Sequence, residues 1–413
     1  MASKFSLFLA ELKRRKVHHG AVAYEGIRFG EGNMKRHLLV IPLVFLLCSA
    51  FGCQDRAAVA ELERLGEAEG LPGFIFSSPA PNSDEEIRIL VHYDMEGLSG
   101  QDDWRTTHVL WPVQYSEGRE LLTADVNAVI EGLFEGGAEE VYVLDDHASG
   151  NPNPDIILER MDSRGQIVSW SELPEGTDLG EYYRIDAVAA VGFHSRTGGG
   201  GFMAHTTTWG LDYLINGKSV NEVELVMLDW GTSRLPWYQG RSRETPSLPL
   251  VFASGDDKLR EELRPYPWVE YVTVKFATSA STVELRPVDV VREEMTEAAV
   301  KAVKNIPNAR AVELKTPFEA GLRAVPPARS LSILRGLPGI EVQDETVTFE
   351  AEDYWDARTG GWVALREVAR TGHDQSRMRT TRTLLEEHYD RRAISVEINQ
   401  ALIKRWLDYE SGR

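Results

Sequence analysis

Three apolar segments of this chain each run straight into residues that bind metals. Residues 87–93 (IRILVHY) are followed by Asp94 and Glu96. Residues 141–144 (VYVL) are followed by Asp145, Asp146 and His147, and residues 187–191 (AVAAV) by Gly192, Phe193 and His194. Short runs rich in Val, Ile, Leu and Ala read as strands buried on both faces. In open α/β sheets, sites gather beyond the C-terminal ends of parallel strands. The sequence therefore predicts one sheet whose strand ends bring Asp94, Glu96, His147 and His194 together.

The rest of the pattern supports an α/β fold: a central mixed or parallel sheet flanked by helices, with a metal site at the C-terminal ends of its strands. Residues 116–136 carry Leu121, Leu122, Val126, Val129 and Leu133 at helical spacing. A further strand is expected at 250–253 and a further helix at 288–303. Residues 203–216 read as an irregular turn entering a strand. Residues 215–226 (INGKSVNEVELV) read as a strand, an Asn-Gly turn and a helix that opens with Glu222 and Glu224. Residues 347–353 (VTFEAED) are expected to form an edge strand.

Taken singly, these polar residues are ordinary. Asp94 and Glu96 could be a solvated acid and a turn cap, and a histidine after a strand is usually a surface residue. Repetition at three strand ends changes that reading. Alternate side chains of extended backbone point the same way, so Asp94 and Glu96 can reach one cavity. An acid of the Asp145-Asp146 pair could orient the His147 ring. His205 lies in GGGGFMAHTTTWG, residues 198–210, where it could donate to an oxyanion or transfer a proton; the competing reading is a flexible surface loop.

Composition narrows the chemistry. The only cysteines are Cys48 and Cys53, so the body of the chain has neither a disulfide framework nor a thiolate metal site. Any metal there must take imidazole and carboxylate ligands, a set that suits zinc. The formal charge of −19 disfavours nucleic acid as a partner. No G-x-S-x-G elbow, HExxH helix, phosphate loop or dinucleotide fingerprint occurs.

The N-terminal region reads as an export signal. Met34 precedes Lys35, Arg36 and His37, and then the apolar run 38–51 (LLVIPLVFLLCSAF). That run is short for a membrane span, and Ala50-Phe51-Gly52-Cys53 resembles a bacterial lipobox, although Ala50 stands where leucine is usual. The expected layout is an N-terminal extension over 1–33, with translation favoured to begin at Met34, and an export signal over 34–53 with Cys53 lipidated. A tether over 54–86, the α/β domain over 87–370 and a charged, partly helical extension over 371–413 complete it. The expected location is the bacterial periplasm, with a lipid anchor to the membrane.

At these residues the chain resembles the M55 peptidase family, the DppA-like zinc-dependent D-aminopeptidases. The matching segments are YDMEGLSG (93–100), LLTADVNAVIEG (121–132), VYVLDDHASG (141–150), AVGFHSRTG (190–198), FMAHTTTWG (202–210), INGKSVNEVEL (215–225) and VFASGDD (251–257). The resemblance implies metal ligands at Asp94, Glu96, His147, His194 and Glu222, a catalytic histidine at His205, and two zinc ions per chain. It also implies release of N-terminal residues, D-amino acids among them, from short peptides, and a homo-oligomeric ring, typically a decamer. The sequence departs from the family pattern after Glu222, where Glu224 and Val226 replace a small residue and an amide. Glu224 is then a candidate for the substrate's amino terminus. The rival readings are a metal-dependent hydrolase of another amide or ester, and an exported lipoprotein that captures peptides without cleaving them.

Overall fold

The computed structural model describes residues 72–78, 86–174, 177–232, 247–325, 331 and 340–362. The expected extension, export signal and C-terminal extension lie outside these residues. In chain order the strands and helices are β1 (Phe74–Ser77), β2 (Arg88–Tyr93), α1 (Pro112–Gly136), β3 (Glu140–Asp145), β4 (Gly165–Val168), α2 (Leu179–Tyr182) and β5 (Ala187–Phe193). They continue as β6 (Leu211–Ile215), β7 (Lys218–Ser219), α3 (Glu222–Gly231), β8 (Leu250–Asp256), α4 (Asp257–Glu262), β9 (Glu270–Ser279) and β10 (Thr282–Leu285). The last are α5 (Val288–Asn305), β11 (Ala311–Leu314), β12 (Phe318–Ala324), β13 (Ile340–Gln343) and β14 (Thr346–Ala351).

The main sheet has the order β10-β9-β8-β5-β2-β3-β4. Every pairing from β9 to β4 is parallel, and only β10 runs antiparallel, at one edge. Strands β2, β5 and β8 are buried along their whole length, which is why they read as unbroken apolar runs. Helices α1 and α5 pack against each other, while α3 contacts β5, β8 and the β1–β11 ribbon. The chain goes from β2 outward to β3 and β4, then returns to β5 on the other flank of β2. The order reverses between β2 and β5, where such folds place their sites. The register is even: Tyr93 lies opposite Asp145 on one side and Val191 on the other, so the three predicted strand ends open at one level.

A second, antiparallel sheet has the order β13-β14-β12-β6-β7. It corrects one expectation: β14, read as an edge strand, pairs on both sides, with β12 and β13. Its alternating burial, with Val347, Phe349 and Ala351 inward, resembles an edge strand because only one face is covered. Trp362 and Tyr213 meet edge to face beneath this sheet. Within the span assigned to the tether, residues 74–77 form β1 and pair with β11. Among the described residues no helix is long and apolar enough to cross a membrane.

Candidate metal centre

The six predicted residues converge. Asp94 and Glu96 leave β2 on a loop that crosses the end of β5, where Gly97 N–H donates to Gly192 O at 2.7 Å. The approach is so close that a Cβ at Gly97 would lie 1.9 Å from Phe193 O. His147 follows β3, His194 follows β5, His205 stands on the loop before β6, and Glu222 opens α3 behind its N-cap Asn221.

Two triads result. The ligand atoms of Asp94, Glu96 and His147 lie within 4.8 Å of one another, as do those of His194, His205 and Glu222. Asp94 joins them: its Oδ1 is 4.0 Å from His147 Nε2, and its Oδ2 is 3.2 Å from His194 Nε2. Glu96 Oε1 lies 3.3 Å from His147 Nε2. Glu222 Oε1 lies 3.8 Å from His194 Nε2 and 3.7 Å from His205 Nε2. Asp94, Glu96 and His194 are 4%, 3% and 1% exposed, so water cannot solvate these groups freely.

Each imidazole is held the same way round. His147 Nδ1 faces Asp155 Oδ2 at 3.0 Å, His194 Nδ1 faces Ser195 O at 3.0 Å, and His205 Nδ1 faces Met203 O at 2.8 Å. An oxygen acceptor at Nδ1 fixes the proton there and turns the Nε2 lone pair inward. All three lone pairs therefore face carboxylates, acceptor against acceptor. The conflict is sharpest at Asp94 Oδ2 and His194 Nε2, which are buried without a hydrogen bond. Such an arrangement calls for positive charge at its centre, and a divalent cation supplies it. Three imidazoles and three carboxylates, with no thiolate, are a donor set that fits zinc.

Without a cation, the same demand draws protons onto the inward Nε2 atoms of His147 and His194 in place of the metal, and the electrostatics show it. Burial and the neighbouring Glu96 push the Asp94 carboxyl well up. Burial opposes charging His194, yet Glu222 and Asp94 outweigh it and draw its pKa up to about 10. Burial likewise opposes ionisation of Glu96, but His147 holds its carboxyl well below the usual range. His205 goes the other way: burial and then the charge of His194 hold it below the ordinary histidine value, which keeps it neutral. Its ring is sandwiched between His194, at 4.1 Å between centroids, and Trp209, at 4.3 Å.

Two expectations are corrected here. The carboxylate that orients His147 is neither Asp145 nor Asp146 but Asp155. Asp145 accepts from the backbone N–H groups of His147 and Asp155, and Asp146 pairs with His92. Asp155 is buried and also accepts from the hydroxyls of Tyr115 and Ser149. Glu224 does not face substrate. It is buried in the capping box of α3, where it accepts from Asn221 N and from Tyr266 OH. Val226, the second departure from the family pattern, does line the cavity.

Sequence reasoning also missed Lys275, a fully buried cation on β9. Its Nζ donates to Glu96 O at 2.7 Å and to the Gln101 side chain, and it stands 4.3 Å above the Phe202 ring. Gln101 in turn donates to Met95 O, so the loop carrying Glu96 is pinned from two directions. Burial lowers the Lys275 pKa to about 7. A lysine within a strand pattern (TVKFA) was the available signal.

The centre opens into a cavity of about 540 Å³. One wall is aromatic, with Trp104 and Trp111 in edge-to-face contact at 4.8 Å. The opposite wall is α3 through Leu225, Val226 and Asp229, with Arg358 beside it. That volume accommodates a small-molecule or short-peptide ligand.

A doubly wound sheet with a buried imidazole–carboxylate centre at its switch point, open to a cavity, defines a metallohydrolase. The family model described as D-aminopeptidase matches residues 87–360, and the chain belongs to this M55 peptidase family, a family of metallopeptidases of the aminopeptidase class. It is 24% identical over 291 residues to the D-aminopeptidase of Bacillus subtilis (strain 168), an alignment covering 69% of this chain and 99% of that protein. Its fold is similar to that of the Zn-dependent D-aminopeptidase DppA from Bacillus subtilis, a self-compartmentalizing protease. The TM-score is 0.55 at 22% identity, over 69% of this chain and 98% of that one.

Proposed function

We propose that this chain is a zinc-dependent aminopeptidase that removes N-terminal residues, D-amino acids in particular, from short peptides. The observation that carries the reading is the trio of inward Nε2 lone pairs facing buried carboxylates, with Asp94 Oδ2 and His194 Nε2 left without a hydrogen bond. Asp94, Glu96 and His147 would hold one zinc ion, and His194 and Glu222, with Asp94 between the triads, a second. Bound zinc supplies Lewis acidity and a water acidic enough to attack an amide carbonyl at neutral pH.

The protein's own groups do the rest. Asp155 holds the His147 ring in the ligating tautomer. His205, neutral and on the cavity wall with its Nε2 lone pair inward, takes up the proton that the attacking water releases; the imidazolium so formed stabilises the oxyanion and gives that proton to the leaving nitrogen. The aromatic wall and α3 exclude water from the substrate. By analogy with the relatives, the chain assembles with copies of itself into a closed compartment. Export through residues 34–53, lipidation at Cys53 and a catalytic domain over 87–370 complete the proposal, which would place the enzyme among peptides outside the cytoplasm.

The test is a comparison of wild-type protein with His205→Ala, scored for zinc content and for release of amino acid from matched D- and L-alanyl dipeptides. The expected result is D-peptide turnover in the wild type and, in the variant, a loss of about 100-fold or more with zinc unchanged. Because His205 Nε2 also lies within 4.8 Å of its neighbours' ligand atoms, loss of zinc together with activity would make it a sixth ligand. Turnover confined to L-peptides would remove the stereochemical claim. Zinc without peptide turnover would favour another amide or ester substrate, or capture without cleavage.

A further inference from the structure

The cavity that serves the metal centre is acidic: Asp94, Glu96, Asp146, Glu222 and Asp229 all line it. Among the described residues, Arg358 is the one Lys or Arg side chain in that lining. It comes from the helical turn Asp356–Gly361, beyond the second sheet, and reaches α3. Asp229 holds its guanidinium as a fork, with Nε–Oδ1 at 3.0 Å and Nη2–Oδ2 at 3.0 Å. Tyr354 OH fixes Asp229 in turn, at 2.7 Å. The plane of the guanidinium is thus set before any ligand arrives. Its remaining nitrogen, Nη1, has no acceptor among the described residues, and the side chain lines the cavity.

We propose that Arg358 binds the C-terminal carboxylate of the substrate, so that the enzyme selects short peptides with a free carboxyl end. This inference rests on the aminopeptidase reading above. A short peptide carries opposite charges at its two ends, and this cavity has matching poles. Its ammonium end belongs with the carboxylates of the metal centre, and its carboxylate end with the one cationic donor. A guanidinium whose plane is already fixed loses little freedom when it donates to a carboxylate. The field is not strongly cationic, because Asp229 offsets the formal charge. The selectivity therefore comes from a directed, charge-assisted hydrogen bond and is moderate, about tenfold.

The experiment compares an alanyl dipeptide acid with its C-terminal amide, in the stereochemistry the enzyme turns over. It uses full-length zinc-loaded protein, wild type and Arg358→Gln. Calorimetric titration of the same two compounds into the zinc-loaded His205→Ala forms of both proteins, in which turnover is slowed about 100-fold, gives binding constants independent of turnover. The expected wild type has a KM about tenfold lower for the acid, and Arg358→Gln raises the KM of the acid about tenfold while leaving the amide and kcat unchanged. Because removing Arg358 strands Asp229, the double variant Asp229→Asn/Arg358→Gln is measured alongside, and the same loss of acid preference is expected. Equal KM and Kd for acid and amide in the wild type would overturn the assignment, as would an equal rise for both compounds in folded variants. A protein that cleaves neither compound but binds the acid in preference would overturn the aminopeptidase reading and leave Arg358 as a carboxylate site.

Discussion

At the scale of single residues, the centre depends on groups that never touch the reacting atoms. Asp155 accepts from His147 Nδ1 and from two hydroxyls, and its backbone N–H is held by Asp145 at 2.9 Å. Asp155→Asn keeps the size of the side chain but can present an amide N–H to His147, which would favour the wrong tautomer. Zinc affinity should fall by about 10- to 100-fold, as read by competition with a chromophoric chelator, while the fold persists. Unchanged affinity would show that Asp155 does not orient this ligand. The cluster itself was legible, because Asp94, Glu96, His147 and His194 each follow an apolar strand. Asp155 was not, because it ends an irregular Asn-Pro-Asn-Pro stretch whose path back under His147 is set by tertiary contacts. The place of Glu222 in that cluster, and the catalytic role proposed for His205, came only through family resemblance.

At the scale of elements, α3 shows how one helix serves both packing and chemistry. Its first residue, Glu222, faces the centre, and its third, Glu224, closes the capping box. Burial pushes the Glu224 carboxyl up to about 8, so the folded protein keeps a proton there that the unfolded chain releases near 4.5. A raised carboxyl pKa gives stability that is complete below pH 4.5 and is lost as pH rises through 8. Glu224→Gln removes the ionisation. The melting temperature of the variant relative to wild type should therefore climb between pH 5 and pH 8.5. A difference that stays flat across that range would contradict the account. The parallel sheet was legible because β2, β3, β5 and β8 carry unbroken apolar runs. The antiparallel sheet was not assembled from sequence, because charged Glu319 and Arg323 interrupt β12, β13 is short and half-covered, and β14 alternates as an edge strand would.

At the scale of the whole molecule, the main sheet and the loops around it present six ligand-type side chains at one level, and the second sheet leads into the segment that completes the cavity. A site with so many buried, mutually repelling groups destabilises the fold until a cation joins them. Saturating zinc should raise the melting temperature, equivalent to ~4 kcal/mol at a thousandfold excess over Kd, and chelator should reverse it. The most direct test is the zinc content of purified protein, wild type and His194→Ala, after dialysis against a weak chelator. The account predicts about two zinc ions per chain in the wild type and about one or fewer in the variant. No bound zinc in wild-type protein that has been supplied with it, or equal content in both, would contradict the claim that these residues form a metal centre.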